Sequence, residues 1–471
     1  MPAPREAFVI GSGPNGLTAA IILARAGIPT TLFEAQSVVG GAMRSAELTL
    51  PGFLHDVCSA IHPMALSSPA FASFPLRDHG LTWIQPPLPV AHPFDDGSAA
   101  VLERSLEESC ARLGPDGIAY GNIVRPWIEH WTELCAEILQ PLMHRPSHPL
   151  LLARFGLAAL SPATSAARKF RTESARSLFA GLAGHSVLPL EMLGSASFGW
   201  VLAVIAHVAG WPIPSGGSQQ IANALASYFT TLGGKIRLGV RIQSLDELAS
   251  GGLVLCDVTP RQFIDIAGNR LPSDFQRQLR RYRYGPGVFK LDWALSAPIP
   301  WKARECTQAG TIHVGGTLAE IAASERAAWE GRIEERPFLI VTQSSLFDDR
   351  RAPAGRQTAW AYCHIPNGST VDMTERMENQ IERFAPGFRD CILARHAFNP
   401  AALQEHNENL IGGDITGGAQ DLRQLLFRPT RLLYRTPLEN VYLCSSSTPP
   451  GGGVHGMCGY NAARLALADC K

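Results

Sequence analysis

The sequence predicts an α/β protein, with a parallel-sheet domain assembled from distant stretches of chain and mixed α+β material inserted between them. Three observations predict it. At the start, Ala7-Phe-Val-Ile empties into Gly11-Ser-Gly-Pro-Asn-Gly16, a helical run Leu17–Ala26 follows, and a second apolar run, Thr30–Phe33, ends on Glu34. Strand-like texture returns in mid-chain at Lys235–Val240 and Leu253–Val258, on either side of a turn-rich stretch. Near the far end, Asn440–Ser445 reads as a strand, a Gly/Pro turn follows, and a helix runs from about Gly456 to Asp469.

The first unit has the βαβ form of a Rossmann-like dinucleotide site. Gly11 allows the tight turn, Gly13 lets the backbone approach a pyrophosphate, and Gly16 permits close helix–strand packing. Pro14 and Asn15 open the helix, whose free N–H groups and positive dipole end favour phosphate. Glu34, followed by Ala35, stands where an acid can bind a ribose hydroxyl.

Two further clusters separate a flavin dinucleotide from a nicotinamide one. In Glu34-Ala-Gln-Ser-Val-Val-Gly-Gly-Ala-Met-Arg-Ser45, Gly40 and Gly41 allow a second backbone turn beside the ligand. Arg44, next to Ser45, can offset pyrophosphate charge. The run Gly451-Gly452-Gly453-Val454-His455-Gly456 precedes the last helix, and its backbone N–H groups suit the edge of a flat ring that turns negative on reduction. Side chains there would collide with such a ring.

The intervening chain changes texture several times. A Pro-rich segment, Gln85–Pro93, is followed by helical spacing at Ser105–Leu113 and Pro126–Leu139 and by an Ala/Leu-rich stretch from Leu151 to Ala183. A helix over Ile221–Leu232 precedes the mid-chain strands. Alternation in Val288–Leu295 and Thr358–Ile365 predicts a mixed or antiparallel sheet. The resulting division is 1–90, 212–265 and 436–471 for a discontinuous cofactor domain, with a helix-rich insertion at 91–211 and a mixed-sheet part at 266–435.

Composition sets bounds on function. With 471 residues, more than one domain is expected. Lys+Arg and Asp+Glu are equal at 41 each, which gives no electrostatic case for nucleic acid. The ten cysteines contain no CxxC and no metal-ligand spacing, so a disulfide reductase and a metal site are both disfavoured. Reduced thiols fit a cytoplasmic protein. From Met192 to Pro214 there is no Asp, Glu, Lys or Arg. A buried helix lining a substrate cavity is the expected reading, with a peripheral membrane contact as the alternative and a true span third.

At this point the chain resembles a known family. GSGPNG with Glu34, VVGGAMRS, PGFLHDVCSA and STPPGGGVHGMCGYNAA resemble the phytoene desaturase/carotenoid isomerase branch of FAD-dependent oxidoreductases. Trp211-Pro-Ile-Pro-Ser-Gly-Gly-Ser and Gly412-Gly-Asp-Ile-Thr-Gly-Gly-Ala look like its pyridine nucleotide-disulfide oxidoreductase domain-containing protein 2 subgroup. The resemblance implies a two-domain flavoprotein of amine-oxidase/phytoene-desaturase type, binding FAD non-covalently beneath an apolar substrate domain. His455 stands where the carotenoid enzymes usually continue with Pro.

No second GxGxxG follows a strand, so the expected reaction is dehydrogenation or oxidation of a hydrophobic substrate, with oxygen or a quinone as electron acceptor. A redox-neutral isomerisation is also compatible. Oxidation of a C–N bond is the alternative chemistry, and a flavin-bound interaction protein is the non-enzymatic one. Candidate catalytic residues are His455 in the glycine-rich turn, His62 in Ser59-Ala-Ile-His-Pro, His364 in Tyr362-Cys-His-Ile-Pro, and the aromatic Tyr460. Cys458 is the one thiol near the turn, where a covalent flavin link would form.

Overall fold

The computed structural model describes residues 6–470. Its first sheet has five parallel strands in the order Val441–Leu443, Leu253–Cys256, Ala7–Ile10, Thr30–Phe33, Lys235–Arg237. Ala7–Ile10 and Leu253–Cys256 are buried along their whole length, as unbroken apolar strands covered on both faces must be. Helices Pro14–Arg25, Gln219–Thr231 and Met457–Asp469 pack together on one face. On the other, Phe263 and Ile264 of Pro260–Ala267 and Phe275 and Leu279 of Ser273–Arg280 cover Phe8 and Ile10. The sheet thus joins strands whose sequence positions differ by more than four hundred residues.

The second sheet has seven strands in the order Ile392–Phe398, Gly287–Leu295, Gln357–Ile365, Leu339–Thr342, Ala309–Val314, Leu88–Pro93, Ala99–Leu102. All neighbours are antiparallel except Leu88–Pro93 with Ala309–Val314. The Pro-rich segment is therefore a strand inside this sheet, and it straddles residue 90. Alternation in Gly287–Leu295 sends Phe289, Leu291, Trp293 and Leu295 into a core with Met377, Ile381 and Phe384 of helix Thr374–Phe384. Val288 and Lys290 lie on the opposite face, towards the carboxyl edge of the parallel sheet.

The insertion is helix-rich, as its spacing and composition predict, and is divided into short pieces. The periodic stretch Pro126–Leu139 is split at His130 between Gly117–Glu129 and Trp131–Ile138. Leu151–Ala183 contains three helices, Pro149–Ala159, Ala163–Ala167 and Glu173–Gly184. Pro162 ends continuity before the second, and the Thr172 side chain caps the third by accepting the Ala175 N–H at 3.2 Å. The uncharged segment from Met192 forms helix Ser195–Val208, 14 residues long, before turning at Gly210 into Ile213–Pro214. Among the described residues no helix is long and apolar enough to cross a membrane. All ten cysteines are unpaired.

Candidate cofactor and substrate site

One cavity of about 1120 Å³ lies between the carboxyl edge of the parallel sheet, the mixed sheet and the helical insertion. One end of it is built by the first glycine turn. Gly11, Gly13, Pro14 and Asn15 line it, together with Ser12. Gly16 lies beneath the lining rather than on it. A Cβ at Gly16 would stand 2.0 Å from the Gly11 carbonyl oxygen, so the helix can start against the strand only without one. Glu34 and Ala35 line the same end. The Glu34 carboxylate accepts the Ser12 N–H at 3.0 Å and the Gln36 N–H at 2.9 Å, which fixes it across the mouth of the turn.

The second loop docks on the first. Gly41 has φ +54°, and a Cβ there would come within 3.1 Å of the Gly13 Cα. The Gly40 N–H donates to the Ser12 carbonyl at 3.1 Å, holding Gly40 behind the lining. Arg44 is 7% exposed and lines the cavity, its guanidinium donating to the Gly41 carbonyl at 3.0 Å and the His406 carbonyl at 2.8 Å. Ser45 does not reach the cavity. Its hydroxyl donates to Asp56 at 2.7 Å and accepts the Gln219 N–H, so it ties the loop to the 211–219 segment.

The C-terminal turn brings Gly452, Gly453, Val454 and His455 to the lining, while Gly451 and Gly456 support them from behind. His455 is 2% exposed, and burial pushes its pKa down to about 4. Its Nδ1 accepts the Met457 N–H at 3.0 Å, so the ring caps the last helix as a neutral imidazole. Tyr460, one turn further on, is absent from the lining; its ring packs under the Arg464 guanidinium at 5.4 Å. Cys458 is fully buried, its thiol directed at the Thr448 and Gly451 carbonyls, with burial pushing its pKa up to about 12.

His62 does line the cavity. It is 2% exposed, its Nε2 lies 2.8 Å from the Ser218 hydroxyl, and burial pushes its pKa down to about 4. His364 does not. Helix Leu318–Trp329 covers it, and its Nδ1 sits 2.7 Å from Glu325 in a closed pair.

The cavity also contains residues that local motifs do not mark. Asp257, at the end of Leu253–Cys256, accepts the Gly16 N–H at 2.8 Å; burial, with the nearby Glu34 charge, raises its pKa to about 8. Lys290 is 2% exposed and ion-paired with Asp292. Its ammonium lies 5.6 Å from the Trp360 ring centre and 5.7 Å from that of Phe398. Burial lowers its pKa, with Asp292 opposing. Beyond it the walls are apolar: Ile340, Trp360 and Tyr362 from the sheet, and Leu152, Phe155, Phe198 and Val201 from the helices.

A model of the NAD(P)-binding Rossmann-like domain family matches residues 9–74. Over their whole lengths, the chain is 27% identical to "Pyridine nucleotide-disulfide oxidoreductase domain-containing protein 2" of Mus musculus, covering 99% of this chain and 94% of the mouse protein. It is 27% identical to the phytoene dehydrogenase of Streptomyces griseus, covering 95% and 91%. The chain is an oxidoreductase similar over nearly its whole length to these proteins. The fold of this oxidoreductase agrees: a triple mutant of putrescine oxidase superposes with TM-score 0.64 at 18% identity, covering 99% of both chains. The residues present fit FAD, since two stacked glycine turns, an acid and an arginine occupy one end of the oxidoreductase's cavity and a turn that presents the bare backbone of Gly452 and Gly453 faces its middle.

Proposed function

We propose that this oxidoreductase binds FAD non-covalently and dehydrogenates or oxidises a hydrophobic, uncharged small molecule, passing electrons on to oxygen or a quinone. The observation that carries the reading is the continuity of one cavity from Glu34 and Arg44, past the Gly452–His455 turn, into walls of Leu, Phe, Val and Trp. Glu34 and the two glycine turns would hold the adenosine and pyrophosphate, and the C-terminal turn the flavin edge. Bound FAD would supply a two-electron acceptor at N5. The chain's part is to orient a C–H bond, exclude water and place a proton-holding group nearby. Lys290, desolvated beside Asp292, is the group best placed to hold or release a proton; His62 and His455 are held neutral and serve as packing and hydrogen-bonding surfaces.

Oxidation of a C–N bond is the second reading, favoured by the likeness to putrescine oxidase. Charge argues against a cationic amine. The acids that line the cavity are Glu34, Asp257, Asp265 and Glu408, all at the nucleotide end, whereas the substrate end presents the Lys290 ammonium. With Asp292 already paired to Lys290, an alkylammonium would find no free carboxylate there.

The chain's exposed leucines support a peripheral contact with an anionic membrane, through which an apolar substrate would enter. They lie mainly outside the 192–214 helix, most of whose surface is buried. Leu150 and Leu157 are 86% and 83% exposed on helix Pro149–Ala159, with Leu142, Leu160 and Leu193 nearby in the same part of the chain or cavity rim. Residues 138–172 carry Arg145, Arg154, Arg168, Lys169 and Arg171 and no acid.

The test is the purified protein's absorption and its response to substrate. A flavin spectrum that acid precipitation releases into the supernatant, with bleaching under anaerobic addition of apolar alcohols or alkenes, supports the reading. A protein that stays colourless after incubation with FAD overturns it.

A further inference from the structure

The apolar end of the cavity contains one polar corner that the proposed chemistry does not use. His185, the residue that ends helix Glu173–Gly184, lines the cavity, and its Nε2 lies 2.9 Å from the Nε2 of His313. His313 is fully buried on strand Ala309–Val314, between Trp211 at 6.2 Å and Phe338 at 5.7 Å between ring centres. Two residues earlier on the same strand face, Thr311 also lines the cavity. It is 1% exposed, and its hydroxyl has no partner.

The pair's proton arrangement follows from what surrounds it. Burial pushes the pKa of His185 down to about 3 and that of His313 well below its usual value, so both rings are neutral and share a single N–H. The Nδ1 of His313 is buried without a partner, boxed in by the Gly181 backbone. An unpaired N–H is costlier to bury than an unpaired acceptor, so His313 keeps its proton on Nε2 and donates it to His185. His185 then carries its own proton on Nδ1, the ring atom left free for the cavity.

Resting on the reading of the cavity as an apolar substrate pocket, we propose that His185 Nδ1–H and the Thr311 hydroxyl form a polar subsite for one uncharged oxygen, a carbonyl or hydroxyl, carried by an otherwise apolar substrate, with His313 as the positioning residue that sets the His185 tautomer. The geometry makes the ligand amphipathic at one point only. Beside the corner Ile340 and Tyr362 offer surface to a hydrocarbon remainder, while Trp211 backs the His185 ring from outside the lining, 5.7 Å between centres.

The experiment uses the holoprotein and a shape-matched probe pair, methyl nonyl ketone and undecane, competing against Nile red for the cavity. Wild type should prefer the ketone by about five- to tenfold, the worth of a buried neutral hydrogen bond or two. Thr311→Val, near-isosteric, and His313→Phe should each lose most of that preference, and Thr311→Ser should keep it. Nitrogen-15 shifts of the imidazoles should report His185 as the Nδ1–H tautomer in wild type and a tautomer mixture in His313→Phe, a change that mere packing would not produce. Equal displacement by ketone and undecane in wild type overturns the subsite while leaving the apolar pocket standing. A ketone preference that survives in both Thr311→Val and His313→Phe also overturns it. If neither probe displaces Nile red, the pocket reading itself falls and the subsite with it.

Discussion

Arg351 and Asp56 meet at 2.9 Å with side chains 1% and 2% exposed, and the same guanidinium reaches Asp348 at 3.0 Å. This buried triad stands behind the cavity: Asp56 also accepts the Ser45 hydroxyl and the Ser218 N–H, and Ser218 in turn holds His62. Arg351→Leu would leave the buried Asp56 carboxylate without a cation, Asp348 keeping Arg350 at 3.1 Å, and should cost about 3–5 kcal/mol in urea unfolding. Arg351 and the hydrogen bonds hold the Asp56 pKa below its ordinary value despite burial. The group's contribution is therefore present at neutral pH and lost as pH falls below the ordinary carboxylate range, so the wild-type advantage over the variant should shrink in acid.

Asp257 has the opposite sign. Its pKa is raised from 3.8 to about 8, so between those values the folded protein holds a proton that the unfolded chain has released. Stability should fall as pH rises through that window and level off above it. Asp257→Asn keeps an acceptor for the Gly16 N–H and removes the titration. Thermal melts of the apoprotein at several pH values should give a flatter profile for the variant.

The contact of Gly41 with Gly13 predicts a cofactor defect with little loss of fold. Gly41→Val adds atoms where 3.1 Å separates a first Cβ from backbone, at a positive φ that a β-branched residue resists. FAD affinity should drop at least about tenfold, equivalent to about 1.4 kcal/mol. Flavin retained per protein after gel filtration measures it, and circular dichroism should remain close to wild type.

Lys290→Met removes the ammonium from the substrate end while preserving length and packing against Trp360. Turnover should fall by about a hundredfold or more, the usual worth of a positioned proton-transfer group. FAD content should be unchanged. Single-turnover flavin reduction separates the two effects.

Leu150→Ser with Leu157→Ser should leave melting temperature almost unaltered, since both side chains already face solvent. Flotation with phosphatidylserine-containing vesicles should weaken severalfold, and added salt should weaken wild-type binding through the neighbouring arginines and Lys169.

Much of the glycine-turn end of the cavity was legible in sequence because its residues are contiguous. Gly11–Gly16, Glu34, Gly40–Arg44 and Gly451–Gly456 each fold locally, so spacing alone reports their geometry. Lys290, Thr311 and Asp257 were not. Each lies in or just beyond an apolar strand, and its exposure to a cavity depends on which sheet neighbour it pairs with, Lys290 with Tyr362 and Thr311 with Val90. His364 shows the converse. Its local setting resembles a site, but helix Leu318–Trp329 supplies Glu325 and closes it off. The helical character of the insertion was legible, but its breaks at His130 and Pro162 were not, because the apolar spacing and Ala/Leu-rich composition run across both.

The parallel sheet places Ala7–Ile10 beside Leu253–Cys256, and that strand beside Val441–Leu443. On a ribosome these strands emerge far apart in time. The early glycine turn leaves the exit tunnel long before the turn at Gly451–Gly456 is translated, so until then the nascent cradle is half a site with an uncovered apolar sheet edge. Closure of the cradle is in this sense a last step of biosynthesis, and a chain interrupted before Val441 is left with the Leu253–Cys256 edge unpaired, a feature that quality control can recognise.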